Sequence, residues 1–231
     1  MQRQPFRAIA PLAETDPVSL VFRLTLHGLV QSLRAGIAAT DSATLFLEDW
    51  CRREQAEAKV TARIMPDHRP PSAQQRERLE IGVDEPVAYR RVQLVCGGHV
   101  LSEADNWYVP GRLTPEINRV LEETTTPFGH AVRPLEPWRR TLASTPLWPV
   151  LPEGWERIVL QRLTGWAAAA PVPVYDPAIA LFENSAVVLR RDGRPMSEVR
   201  ETYLMALIAP FFGDHARDHH GDASLEVVAV A

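Results

Sequence analysis

The chain has few cysteines and no excess of basic residues. Its two cysteines, Cys51 and Cys96, lie outside any CxxC motif, and two isolated thiols do not make a disulfide framework. The 25 lysines and arginines are outnumbered by 29 acidic residues, which gives a formal net charge of −4. A broad basic face for nucleic acid is therefore not expected. These shortages predict a protein of a reducing, cytoplasmic compartment that does not bind nucleic acid.

Long apolar runs and common catalytic motifs are also missing. The amino-terminal stretch has no continuous apolar core of the secretory kind. The most apolar segment, 18–39, is interrupted by Arg23, Arg34 and other polar residues, which predicts an amphipathic helix rather than a membrane span. There is no P-loop, GxGxxG, HExxH or GxSxG motif, which argues against nucleotide-dependent, zinc-protease and α/β-hydrolase chemistry. The histidines near 215–220 suit a solvated tail better than a metal site.

The hydrophobic content of 45% is enough for a sizeable core. We predict an arm and amphipathic helix at 1–40, one α+β domain at 41–210, and a tail at 211–231. The elements predicted from periodicity, caps and turns are helices at 17–39, 42–57 and 114–123, a strand at 59–65, and β-hairpins around Gly97-Gly98 and Gly193. Segment 66–77 is predicted as a loop, and 134–176 gives no clear pattern.

The two predicted hairpins resemble each other. GHVLSEADNWY, from Gly98 to Tyr108, aligns with GRPMSEVRETY, from Gly193 to Tyr203, at a constant offset of 95 positions. Gly, Ser, Glu and Tyr coincide, and a hydrophobic run precedes each glycine. We interpret this as an internal duplication that builds one antiparallel sheet, with a chance likeness between two hairpins as the alternative.

Strand alternation indicates which side chains share a face. The less charged rows are Ser102, Ala104, Asn106 and Tyr108 in the first hairpin, and Ser197, Val199, Glu201 and Tyr203 in the second. These rows are expected to face the interior. A carboxylate there is costly unless it is paired or binds a ligand, so Glu201 is the strongest site candidate. An internal ion pair with an arginine is the alternative.

Several motifs, in chain order, resemble the chorismate pyruvate-lyase family, whose fold is shared with UTRA ligand-binding domains. They are LFLEDW at 45–50, Arg91 at the start of RVQLVC, TPFGH at 126–130 and Glu201. The resemblance covers about 42–205. It implies an α+β fold, an antiparallel sheet built from two similar hairpin units with flanking helices.

The same resemblance implies a function and a site. Family members release pyruvate from chorismate to leave 4-hydroxybenzoate, a step of ubiquinone biosynthesis, without metal or organic cofactor. Arg91 would clamp the ring carboxylate, and Glu201 would act at the ring hydroxyl. Phe128 and Gly129 would line the pocket, and Cys51 stands where the family places a ligand-facing Met.

Two departures from the family pattern affect the predicted reaction. Asn106 stands where the family has an arginine, and His130 replaces another. The arginine that is missing at position 106 would make a charge-assisted contact, which contributes about 1.5–3 kcal/mol. Arg139 or Arg140 is a candidate substitute for it. The expected partner is a small carboxylate, because arginine holds carboxylates with a planar fork. The alternatives to a lyase are a non-catalytic UTRA-like binding module and an unrelated lyase or isomerase on the same scaffold.

Overall fold

The computed structural model describes residues 17–53, 57 and 59–216, with side chains for 19–53, 57 and 59–212. Six strands form one antiparallel sheet: β1 (Thr61–Met65), β2 (Ala88–Cys96), β3 (His99–Tyr108), β4 (Trp138–Pro146), β5 (Ala180–Leu189) and β6 (Pro195–Leu204). Their order across the sheet is β1-β2-β3-β6-β5-β4. The α-helices are α1 (Pro17–Ala38), α2 (Ala43–Arg52), α3 (Ala73–Arg78), α4 (Pro115–Glu123), α5 (Phe128–Ala131) and α6 (Leu160–Ala169). The predicted α+β class is confirmed.

Two hairpins, β2-β3 and β5-β6, make up the middle of the sheet, as the sequence repeat predicts. Gly98 and Gly193 hold equivalent turn positions with φ of 85° and 84°, a conformation that favours glycine. The second strands of the two hairpins pair with each other: Ser102 lies opposite Tyr203, and Tyr108 lies opposite Ser197. Each serine therefore faces the tyrosine of the other copy, as a twofold relation between the hairpins requires.

The chain divides into two compact units. One combines residues up to 32 with 149–174, and its apolar cluster contains Leu20, Leu151, Leu163 and Ala167. Within this unit Arg23 donates to the carbonyls of Ala170 and Pro171 beyond the end of α6. The other unit combines the described residues of 33–148 with 175–216 and contains the whole sheet.

The structure corrects one loop prediction and one helix end, and it assigns the stretch that gave no clear pattern. The segment predicted as loop contains α3, a helix of six residues with a capping box between Ser72 and Gln75. The unassigned stretch after 134 contains β4 and α6. The second helix ends at Arg52 rather than near 57. None of the described helices has both the length and the apolarity needed to cross a membrane, and most of the predicted tail at 211–231 lies outside the described residues.

Candidate functional site

A cavity of about 60 Å³ lies on one face of the sheet, beside the beginnings of α2 and α5. Its floor consists of side chains from the central strands, including Arg90, Asn106, Val199 and Glu201. Ser42 and Thr44 of α2, Phe128 and Gly129 of α5, and Arg139 of β4 contribute to the walls. The row predicted to face the interior thus does so, and it contributes Asn106 and Glu201 to the cavity.

Arg90 is the buried cation of the first hairpin, with 7% of its surface exposed. Its Nη1 donates to the Thr126 carbonyl at 2.9 Å, and its Nη2 donates to the Thr124 carbonyl at 3.1 Å. Its buried Nε has no hydrogen-bond partner among the described residues, where Arg90 also makes no ion pair with a carboxylate. Burial lowers the pKa of this guanidinium. A guanidinium has five N–H donors, so most of those of Arg90 remain available.

Arg139 and Glu201 form a buried ion pair at the other side of the cavity. Arg139 Nη2 donates to Glu201 Oε2 at 2.5 Å, and the Tyr203 hydroxyl donates to the same oxygen at 2.8 Å. Burial lowers the pKa of Arg139, but Glu201 more than offsets this and raises it above its ordinary value. Burial, followed by the charge of Glu201, raises the pKa of Tyr203 well above normal. The ion pair considered as the alternative explanation for Glu201 is therefore present.

Polar atoms without partners are concentrated on the same face of the sheet. Asn106 is 4% exposed, and its Oδ1 has no hydrogen-bond partner in the described part of the chain. The same is true of both amide atoms of Asn184, which lies opposite Glu201, and of the hydroxyl of Thr141. Buried polar groups are normally satisfied, so this face is suited to a polar ligand or ordered water.

Arg91, predicted as the carboxylate clamp, does not line this cavity. It lies on the opposite face, where its Nη1 and Nη2 donate to Asp67 and Glu103, both at 3.2 Å. A β-bulge between Leu94 and Val95 shifts the pairing of β2 with β3 by one residue. Along β2 the buried positions alternate regularly, and Arg90 shares a face with Val92 and Leu94, so Arg90 takes the inward position opposite Asn106.

Two further predicted residues also lie outside the cavity lining. Arg140 is exposed, because it alternates with the inward Arg139 along β4. Cys51 is buried close to Cys96, and burial followed by that neighbouring thiol raises its pKa. His130 lies near the cavity wall, where its Nε2 is 2.9 Å from Glu48 Oε1.

Phe128 and Gly129 do line the cavity, where the sequence placed them. A Cβ atom on Gly129 would lie 2.8 Å from Ser42 Oγ and 2.9 Å from Thr44 Oγ1. Glycine at this position therefore allows α5 to approach the first turn of α2. The sequence offers Arg139 only as one of two substitutes, because the Pro- and Trp-rich stretch around it shows no strand pattern.

Comparisons with known proteins found one curated relative and several distant structures. No family model matches the sequence. The ligand-binding domain of a putative GntR-family transcriptional regulator from Bordetella bronchiseptica is 17% identical, with a TM-score of 0.40 over 63% of this chain and 83% of that one. The effector domain of PhnF from Mycobacterium smegmatis is 13% identical, with a TM-score of 0.40 over 65% of this chain and 84% of that one.

The curated relative is much more similar in sequence. The uncharacterized protein y4mC of Sinorhizobium fredii is 39% identical over 210 residues, covering 85% of this chain and 85% of that protein. At that identity and coverage, the chain belongs to the same family as y4mC.

Proposed function

We propose that the chain is a binding module for a small carboxylate, which Arg90 holds in the cavity. The observation that carries this proposal is a buried guanidinium with unused donors and no carboxylate partner among the described residues. An isolated buried charge is expensive, and a bound carboxylate compensates it with charge-assisted hydrogen bonds.

The charges around the cavity support an anion with a single negative charge. The buried ionisable groups in its lining are Arg90, Arg139 and Glu201. Because Arg139 and Glu201 neutralise each other, Arg90 contributes the uncompensated charge. Asp41, at the rim, is exposed to solvent and is compensated by water.

The far end of the ligand is expected to carry a hydrogen-bond donor. Glu201 Oε2 already accepts from Arg139 and Tyr203, while Asn106 Oδ1 accepts nothing in the described part of the chain. Both side chains offer acceptor oxygens on the cavity floor. A hydroxycarboxylate supplies the anion for Arg90 and the donor for these oxygens.

The size of the cavity favours a small ligand. Its volume of about 60 Å³ is less than half of the roughly 150 Å³ of an engineered cavity that binds benzene. A molecule the size of chorismate requires side chains of the lining to move before it enters.

The second candidate is a chorismate lyase-like activity. Arg139 favours it, because this residue brings a second arginine to the cavity where Asn106 has replaced the one of the family. Against it, chorismate carries two carboxylates, whereas Arg139 is already engaged with Glu201. We therefore rank binding above catalysis.

Thermal-shift titration tests the binding proposal. Lactate and glycolate are compared with the uncharged lactamide and glycolamide, and stabilisation is expected for each acid but not for its amide. Arg90→Gln is expected to abolish the shift, while Arg91→Gln, the neighbour on the opposite face, retains it. A ligand at 100 times its Kd adds about 2.7 kcal/mol to the free energy of unfolding. Equal shifts with the amides would contradict the role of Arg90.

Incubation with chorismate separates the two candidates. Pyruvate release that depends on Glu201, measured against Glu201→Gln, would establish the lyase. Stabilisation by a carboxylate without pyruvate release is the result expected for a binding module.

A further inference from the structure

We infer that Arg90 couples occupation of the cavity to the edge strand β1, through the backbone of residues 124–126. This inference rests on the proposed function, because it assigns a consequence to anion binding at Arg90. The coupling would give a binding module a structural response at the edge of its sheet.

Three consecutive carbonyl groups form the connection. Those of Thr124 and Thr126 accept hydrogen bonds from Arg90 at 3.1 and 2.9 Å. The carbonyl between them, that of Thr125, accepts from the backbone N–H of Ala62 in β1 at 2.8 Å. One short segment is thus held from the cavity side by a guanidinium and from the outside by the edge strand.

Among the described residues, the other hydrogen bonds of the segment are local ones. Thr124 is tied to the end of α4 through Val120, and its Oγ1 also contacts the Thr126 hydroxyl. These bonds are local, and they are exposed. The guanidinium provides the contacts that join the segment to the sheet on the cavity side.

A carboxylate at Arg90 competes with these carbonyls. A carboxylate adds Coulomb attraction to its hydrogen bonds with a guanidinium, which a neutral carbonyl does not, so it is the stronger acceptor. The carboxylate either takes over N–H donors of Arg90 or weakens, by its negative charge, the hydrogen bonds that Arg90 still donates to the Thr124 and Thr126 carbonyls. In either case the hydrogen bonds from Arg90 to the segment weaken. The hydrogen bond from the Ala62 N–H to the Thr125 carbonyl weakens with them.

The result of this weakening appears at the edge of the sheet. β1 is a terminal strand of five residues, paired only with β2, and its Ile64 is 47% exposed. The Ala62 N–H points away from β2 toward Thr125, so release of that carbonyl uncovers a backbone donor. Uncovered edge donors are sites at which another chain can pair. Ligand binding therefore changes the solvent exposure of this backbone N–H.

Hydrogen exchange of the full chain, followed by mass spectrometry, tests the coupling without any ligand. Arg90→Gln and Arg90→Lys are expected to speed exchange about tenfold in peptides covering 61–65 and 124–126, the effect of losing about one hydrogen bond. The control is Arg200→Gln, an exposed residue of β6 on the opposite face, which is expected to leave these peptides unchanged. Unchanged exchange in both Arg90 variants, with folded protein shown by circular dichroism, overturns the inference.

The wild-type protein with lactate provides the second measurement. Faster exchange at 61–65, together with protection of 128–132 in the cavity wall, is the expected pattern. If lactate raises the melting temperature while exchange at 61–65 stays constant or slows, the coupling is wrong and the binding proposal survives. If no carboxylate raises the melting temperature but the Arg90 variants loosen β1, the proposed function fails and the structural connection stands.

Discussion

Asp105 of β3 and Arg200 of β6 are equivalent positions of the internal repeat, and they lie directly opposite each other, joined by an ion pair of 3.1 Å. Their numbers differ by the same 95 positions that relate the two hairpins. The twofold axis of the duplication therefore passes between them. The next residues along each strand, Asn106 and Glu201, face the cavity from opposite sides of this axis.

Substitution of Glu201 is expected to reduce stability strongly. In Glu201→Gln the buried Arg139 loses its charged partner, and breaking a buried pair in this way costs about 3–5 kcal/mol. Urea denaturation measures the free energy of unfolding. The matched control is Arg200→Gln, which breaks a more exposed pair and is expected to cost less than about 1 kcal/mol. Similar losses in both variants would contradict the burial of the Arg139–Glu201 pair.

An alanine at position 129 is expected to disturb the cavity wall. Its Cβ atom would meet the hydroxyl oxygens of Ser42 and Thr44 at less than 3.0 Å. Overpacking of this kind costs about 1–3 kcal/mol, and displacement of α5 also weakens binding of a carboxylate. Thermal melting with and without lactate measures both effects. Gly111→Ala is the control, because a Cβ atom there meets nothing within 4 Å.

Stability is expected to fall at alkaline pH, in part because of Tyr203. Burial, then the Glu201 charge, raises the pKa of this phenol well above its ordinary value of about 10. Below pH 10 both states hold the proton. At higher pH the unfolded chain releases it while the native chain retains it, so the free energy of unfolding falls by up to about 1.4 kcal/mol per pH unit.

The variant Tyr203→Phe isolates this contribution. Its unfolding free energy is lower at neutral pH, because a hydrogen bond to Glu201 is lost. Above pH 10 the unfolding free energy of the variant is expected to fall less steeply than that of the wild type, by up to about 1.4 kcal/mol per pH unit, because one titrating group is absent. Parallel curves for the two proteins above pH 10 would show that Tyr203 ionises normally.

The two cysteines are expected to be unreactive in the native protein. Both are buried, and burial raises the pKa of Cys51, so little thiolate is available as a nucleophile. A disulfide-exchange reagent such as Ellman's reagent should titrate no thiol in native buffer and two in denaturant. Rapid modification of one thiol in native buffer would contradict this arrangement.

The sequence predicted the hairpins and the inward row because alternation and turn glycines are local signals. It did not predict the bulge at Leu94, whose one-residue shift places Arg90 opposite Asn106. In a regular two-residue hairpin, in which Cys96 faces His99, Arg91 would lie opposite Ala104. Alternation along β2 itself puts Arg90 on the face of the buried Val92 and Leu94, and the irregular pair brings the inward row of β3 into register with that face.

Arg139 was hard to predict for another reason. Its strand, β4, has mostly exposed side chains and pairs only with β5, so it lacks the hydrophobic alternation of a half-buried strand. Arg139 is oriented by its ion pair with Glu201, which lies two strands away in the sheet and 62 positions away in the sequence. Such a partnership depends on tertiary structure alone.

The position of Arg139 at the border of the sheet links the cavity lining to the stability of the duplicated hairpins. The duplicated hairpins carry the packing that maintains the fold, whereas this arginine enters the cavity from a strand outside the repeat. Because its partner Glu201 lies in the second hairpin, a substitution of Arg139 changes the lining of the cavity and leaves a buried carboxylate of the repeat without its charged partner. Variation at position 139 is therefore expected to be accompanied by a change at position 201.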